Sequence, residues 1–338
     1  MSVTGLPFDD IRALVRDLPG PDRQAVHDKR HREAELAKPF GSLGRLEDLS
    51  EWLAAWTGRQ PAVNRPLVVV FAGSHGVAAN GISADAPETA AERAANLATG
   101  GAAVNQICAT FDLGLKVFDL ALEVPTADIT REAALDERTC VATMAYGMEA
   151  LAGEPDLLAL GDIGAGNRTV AAAMLAALFG GRAETWIGSM PGIDESVRVR
   201  QVEAVERALA CHEGHLADPL EVLRRLGGRE LAAIAGAIVA ARTQHVPVIL
   251  DGLVTTAAAA VLWKMKPEAL DHCLFGHVSA EPGHRQALEA MGKVPLLALG
   301  MHLGEGTGAA LAAGLVKAAA RSHAGMATAD GGAPAARH

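Results

Sequence analysis

The chain has 338 residues, half of them apolar and only 4% aromatic, with a formal net charge of −10. That length accommodates one large domain with a lesser attachment, or two domains, and the acidic balance argues against a nucleic-acid partner, which would call for a basic face. No 18-residue stretch is apolar and charge-free enough to span a bilayer, and the opening MSVTGLPFDDIRALVRDLPG lacks the basic and apolar regions of a signal peptide, so a cytoplasmic chain with no membrane partner is expected.

Residues 8–57 carry helical spacing in IRALVRDL and LEDLSEWLAAW, broken at KPFGSLGRLE by Pro39, Gly41 and Gly44. PLVVVFAG (66–73) is a β-branched apolar run ending in glycine, the mark of a buried parallel strand. A helix is expected over 88–111, a second strand in LKVFDLAL (115–122) and a helix over 133–151. DLLALGDIG (156–164) reads as a third strand, followed by helices over 168–179, 194–212 and 229–244. VPVILDG (246–252) and HCLFGHV (272–278) complete five strands, with helices over 255–263, 283–291 and 306–321. Strands alternating with helices imply an α/β fold whose sheet is mostly parallel and covered on both faces. The small, polar, Pro/Gly-rich tail is expected to be disordered from about Ala327 onward.

In such a sheet ligands bind beyond the carboxyl ends of the strands. The segments at those ends are AGSHGV, GDIGAGNRT, DGLVTT and GHVSAEPGH, which gather Ser74, His75, Asp162, Asp251 and Ser279 at one edge. In GDIGAGNRT, Gly164 and Gly166 precede an Ala-rich helix, so backbone N–H groups and the helix N-terminus could meet an anion; a tight strand-to-helix turn is the other reading. No Gly-Lys-Ser/Thr follows, so this is not a Walker loop. LGEGTGAAL sets Glu305 between glycines ahead of a helix, either as a helix cap or as a general base carried into a pocket on a glycine turn. The four cysteines, Cys108, Cys140, Cys211 and Cys273, form no C-x-x-C pair and are expected to be free buried thiols. The histidines include no set with ligand spacing: His212 and His215 are too close for a helical pair, and His272, Cys273 and His277 lack further ligands, so no metal is expected. AGSHG also approaches a hydrolase nucleophile elbow, with Ser74 as nucleophile and Asp251 and His277 as partners, although Ala72 replaces the first glycine.

Taken in order, KPFGSLGRLE (38–47), FAGSHGVAANGISA (71–84), GGAAVNQ (100–106), GDIGAGNRT (161–169), LDGLVTTAAA (250–259), GHVSAEPGH and LGEGTGAAL resemble the nicotinate-nucleotide–dimethylbenzimidazole phosphoribosyltransferases of cobalamin nucleotide-loop assembly. The resemblance runs from about Lys38 to Met326. It implies a Rossmann-like large domain over 60–300, a small helical domain from 1–59 with 301–326, a homodimer, and no metal or organic cofactor. The implied substrates are small molecules, a nucleotide and an aromatic base. The implied reaction moves the phosphoribosyl group of nicotinate mononucleotide to 5,6-dimethylbenzimidazole, giving α-ribazole 5′-phosphate and nicotinate. Glu305 matches the catalytic carboxylate of the "LGEGxG" motif, and Ser74, His75, Asp162, Gly164, Gly166, Asn167, Arg168, Thr169, Gly188, Gln201, Asp251, Ser279, Leu303 and Gly304 match or neighbour its substrate-binding positions. A paralogue using another base or ribotide donor, or a non-catalytic base- or nucleotide-binding descendant, is the alternative.

Several positions depart from the family pattern. "GEMGIGNTT" is here GDIGAGNRT, with Asp162 one methylene shorter and Arg168 for a threonine. The "GxGTG" loop is GSMPG (188–192), where Pro191 removes an N–H donor. A lysine of the following helix becomes Gln201, Ser74 takes the place of Asp or Asn, and Asp85 that of an aromatic. Arg168 is therefore expected to supply the positive charge for the phosphate, with Arg198 or Arg200 as a second candidate.

Overall fold

The apolar runs pair into one five-stranded sheet in a computed structural model, which describes residues 7–83, 89–190 and 192–329. The expectations for Asp85, Pro191 and residues 330–338 lie outside the described residues. Strands β1 (Pro66–Ser74), β2 (Gly114–Asp119), β3 (Leu157–Ala165), β4 (Val248–Leu250) and β5 (Cys273–Phe275) are all parallel, in the order β2-β1-β3-β4-β5. Register is set by pairs such as Val68 with Leu115 and Ala159, and Val248 with Leu158 and Cys273.

The strands are apolar at nearly every position because both faces are covered. Val69, Phe71, Leu158, Leu160, Val248 and Leu250 point into one core; Val68, Val70, Ala72, Leu157, Ala159 and Ile249, offset by one residue, point into the other. The N-terminal region forms α1 (Pro7–Arg16), α2 (Arg23–Glu35) and α3 (Arg45–Thr57). The expected helix over 88–111 is two, α4 (Thr89–Ala98) and α5 (Ala103–Phe111), parted where Gly100 takes φ +89° and Asn105 Oδ1 accepts the Ala102 N–H at 2.9 Å. Then come α6 (Glu137–Met148) and α7 (Asn167–Phe179). Next, α8 (Ala183–Ile187) and α10 (Pro219–Leu226), which the spacing misses, flank α9 (Glu195–Cys211). Both are too short to show periodicity, though the Asp218 cap and Pro219 at the first helical position mark the start of α10. Helices α11 (Arg229–Thr243), α12 (Leu253–Met265), α13 (Pro282–Ala290) and α14 (Thr307–Gly325) complete the chain. Residues of α1, α6, α7 and α9 to α13 fill the first core; those of α3, α4, α5 and α14 fill the second.

The KPFGSLGRLE segment ties the chain ends together. Lys38 Nζ bridges Glu33 and Glu47, each at 2.6 Å, while Lys29 and His323 reach the other Glu33 oxygen at 3.1 and 2.9 Å. Burial opposes ionisation of Glu33, but hydrogen bonds from Lys38, Lys29 and His323 outweigh it and hold its carboxyl at about 2. Beyond α14, Ala327 O accepts from Ala37 N and Ala329 N donates to Glu35 O, both at 2.9 Å, so the tail is paired as far as Ala329 rather than loose from Ala327. Cys108, Cys140 and Cys273 are buried free thiols; Cys211, on the outer end of α9, is exposed, contrary to expectation. No helix among the described residues is long and apolar enough to cross a membrane.

Candidate active site

The chain leaves β1 through α4 and α5 on one face of the sheet, whereas β3 leads into α7 on the other. Oppositely directed connections hold the carboxyl ends of β1 and β3 open as a crevice, the usual ligand position in this strand order. A cleft lies there. Its floor is Asp162, Ile163, Gly164 and Gly166 at the end of β3, with Asn167, Arg168 and Thr169 opening α7. Ile82 and Gln201 form one wall, and Gly252, Leu253 and Val254 another. His277, Ser279 and Glu281 come from beyond β5, and His302, Leu303 and Gly304 from the segment before α14; Arg93 of α4 closes the rim.

At the floor, Gly166 takes φ +83° as the turn into α7, and Asn167 Nδ2 donates to Asp162 Oδ2 at 2.8 Å. Burial raises the Asp162 carboxyl to about 8, helped by the negative charge of Asp251 and Glu230 and resisted by Arg168 and Arg93. The shift favours the neutral, protonated form of Asp162 over the carboxylate.

Glu305 sits in a turn of three left-handed residues, with φ of +78° at Gly304, +61° at Glu305 and +76° at Gly306. For a glutamate this geometry costs about 1–2 kcal/mol, so the surroundings must enforce it. They do so through the backbone. Glu305 N donates to Asp162 O at 3.1 Å, Gly306 N to Asp251 Oδ2 at 3.1 Å and Ala309 N to Asp251 Oδ1 at 2.8 Å. Gly161 permits the contact, since a Cβ there would lie 2.2 Å from Gly306 N. Glu305 is buried and does not itself line the cleft, although its neighbours Leu303 and Gly304 and its partner Arg93 do; Arg93 Nε donates to its Oε1 at 2.7 Å.

The cleft thus brings together Asp162, Gly164, Gly166, Asn167, Arg168, Thr169, Gln201, Ser279, Leu303 and Gly304 from the residues picked out by sequence. Gly188 belongs to an adjoining hollow that shares Arg168, Thr169, Gln201 and Glu281 with the cleft. Three of the residues picked out by sequence stand apart from the cleft lining. Asp251 is fully buried and commits both oxygens to the backbone that follows Glu305, so it braces the turn rather than facing a ligand. His75 is buried against Glu230 and stands outside the cleft lining. Ser74 is buried too, and its Oγ bonds to neither Asp251 nor His277, so no nucleophile elbow forms. Of the proposed phosphate cations, Arg198 pairs with Glu195 on α9 and Arg200 donates to Gly81 O at 2.7 Å; neither lines the cleft. Arg168 does line it, with Nε 3.3 Å from Glu281 Oε1 and Nη2 donating to His302 O. Gln201 Nε2 donates to Ile82 O at 2.8 Å.

Sequence reasoning missed Arg93, Glu230 and Glu281. Glu230 was discernible as a carboxylate opening a nearly all-apolar helix, RELAAIAGAIVAART. Arg93 had no such signal, being one polar residue among several on α4.

A phosphoribosyltransferase family model matches residues 18–333. The chain is 63% identical over 328 residues to the nicotinate-nucleotide–dimethylbenzimidazole phosphoribosyltransferase of Rhizobium etli strain CIAT 652, covering 97% of each. It is 64% identical to the protein of that name from Sinorhizobium fredii, with the same coverage. Among solved structures, the corresponding protein of Thermus thermophilus is similar with a TM-score of 0.82 and 40% identity, over 92% of this chain and 98% of that one.

Proposed function

Because the chain belongs to this phosphoribosyltransferase family, we propose that it transfers the phosphoribosyl group of nicotinate mononucleotide to 5,6-dimethylbenzimidazole, with Glu305 as proton acceptor. The ribotide's glycosidic nitrogen is a pyridinium, so nicotinate departs without an acid. One benzimidazole nitrogen attacks C1′ while the other carries an N–H; unless that proton leaves, positive charge builds on the base in the transition state. A carboxylate beside the cleft relieves the charge, and the observation that carries this reading is Glu305, buried and locked in its turn by Asp162, Asp251 and Gly161. Asp162 and the Gly164–Gly166 turn would then receive the ribotide, and α inversion follows if the two rings lie on opposite faces of the ribose. The comparisons favour this reading over a different base or a binding-only descendant. Incubating the chain with the two substrates should yield α-ribazole 5′-phosphate and nicotinate in equal amounts; absence of both products would overturn it.

Arg168, like Arg93, lines the cleft that contains the Gly164–Gly166 turn, and we assign it the donor phosphate in place of its present contacts with Glu281 and His302 O. Arg168→Ala is expected to raise KM for the mononucleotide by tenfold or more, because a charge-assisted phosphate bond contributes about 1.5–3 kcal/mol, and to leave affinity for the free base unchanged. An unaltered KM would remove Arg168 from phosphate binding.

We also read the chain as a cytoplasmic homodimer. Phe40 is 93% exposed in the turn before α3 and Val294 71% exposed beside Pro295, whose carbonyl accepts from Arg45 Nη2 of α3 at 3.0 Å, and exposed apolar side chains of this size suit a subunit interface. Sedimentation should give twice the chain mass; a monomer at micromolar concentration would contradict the reading.

A further inference from the structure

The residue that touches the Glu305 carboxylate comes from an element the reaction scheme does not use. Arg93 projects from α4 with two directed bonds: Nε to Glu305 Oε1 at 2.7 Å and Nη2 to Leu303 O at 2.9 Å. The second bond spans the residues that carry Glu305, so one guanidinium fixes both the carboxylate and the main chain two residues before it. Among the described residues Oε2 of Glu305 has no hydrogen-bond partner. Backbone contacts to Asp162 and Asp251 fix where the turn lies, yet they leave the side-chain torsions free, and a glutamate has three of them. A planar guanidinium bonded at two points removes that freedom in a way a point charge on a flexible stem would not. Its positive charge also compensates a carboxylate that is almost wholly withdrawn from water.

We propose that Arg93 is a positioning residue for the transfer reaction: it occupies Oε1 of Glu305 and thereby presents Oε2 to the N–H of the incoming aromatic base. Arg93 does not itself exchange a proton. The Glu305 oxygen opposite the ion pair takes the base's N–H proton as the other ring nitrogen forms its bond to C1′ and the bond from C1′ to nicotinate breaks. Arg93 lines both the cleft and an outer hollow that includes Thr89, Leu299 and Thr307.

This inference rests on the proposed phosphoribosyl transfer, and its test separates the two. Steady-state kinetics would be measured on the full chain for wild type, Arg93→Met, Arg93→Lys, Glu305→Gln and the Arg93→Met/Glu305→Gln double variant. Arg93→Met should lower kcat on the order of 10²-fold, the usual consequence of misplacing a reacting group by about 1 Å, and Arg93→Lys should recover part of that loss. KM for the mononucleotide should stay within about threefold of wild type, and the double variant should be no slower than Glu305→Gln alone, because residues acting as one unit are not additive. A wild-type kcat in Arg93→Met, or losses that multiply in the double variant, would overturn the assignment. So would a raised KM with kcat intact, which would make Arg93 a ligand for a substrate anion. If Arg93→Met fails to fold, the Lys variant still decides through its kcat and KM. An inactive wild type would instead bring down the transfer reading itself, whereas a fully active Glu305→Gln would take Glu305 out of the mechanism and this assignment with it.

Discussion

Glu305→Gln is expected to lower kcat by about 10²–10⁴, the usual share of a general base, while leaving the fold and the affinity for the aromatic base near wild type. The substitution is conservative in every respect but one. The glutamine amide oxygen can still accept from Arg93 Nε, as Oε1 does now at 2.7 Å. The left-handed backbone is unchanged, since neither side chain is favoured there and the bonds to Asp162 O and Asp251 enforce it in both. What is lost is the ability to take a proton. Steady-state rates with saturating base and mononucleotide provide the check, with a thermal melt alongside to show that folding is preserved. Turnover of the Gln variant at the wild-type rate would take Glu305 out of the mechanism.

Gly161→Ala should produce a comparable loss without touching any group that contacts substrate. An added Cβ would stand 2.2 Å from Gly306 N, 2.3 Å from Gly306 Cα and 2.9 Å from the Glu305 carbonyl carbon, all main-chain atoms that cannot swing aside. Either β3 bends or the turn retreats. Overfilling of this kind costs about 1–3 kcal/mol, and a displacement of about 1 Å at the base costs on the order of 10² in rate. The variant should therefore melt earlier than wild type and lose kcat together. Combined with Glu305→Gln it should add little further loss of rate. A wild-type kcat in Gly161→Ala would show that the turn can shift freely, and the argument for enforced geometry would fall with it.

The difference between what could be read in the sequence and what could not follows from the range of the forces involved. The five strands are marked by β-branched runs such as PLVVV, whose composition reflects burial on both faces, a property each residue carries by itself. Glu305 stands out because a lone acid between glycines ahead of a helix is a local oddity, but that pattern alone fits a cap as well as a base, and only the family resemblance chose between them. Asp251 stands at a strand end as a substrate-binding carboxylate would, and only the positions of Gly306 and Ala309, more than fifty residues later, show both its oxygens occupied. Arg93 is the same case in reverse: its role depends on a partner 212 residues away. Helices α8 and α10 escaped because five and eight residues complete too few turns to establish a repeat. His75 pairs with the buried Glu230, and a histidine after a strand reads alike in sequence whether it has such a partner or not.

The closure of the two chain ends around Lys38 and Glu33 bears on the order in which the protein can be made. Glu33 has two partners, Lys29 and Lys38, close by in the chain, but His323 comes from the far end, as do Ala327 and Ala329, which pair with Ala37 and Glu35. At a synthesis rate of about 5–20 residues per second, the ribosome adds the later residues roughly 15–60 s after the first. Throughout that interval the sheet can assemble strand by strand, while α2 has neither α14 nor the final bridge to rest against. A segment made early is thus among the last to be secured, and until then its charged side chains stand in water, where they are fully hydrated.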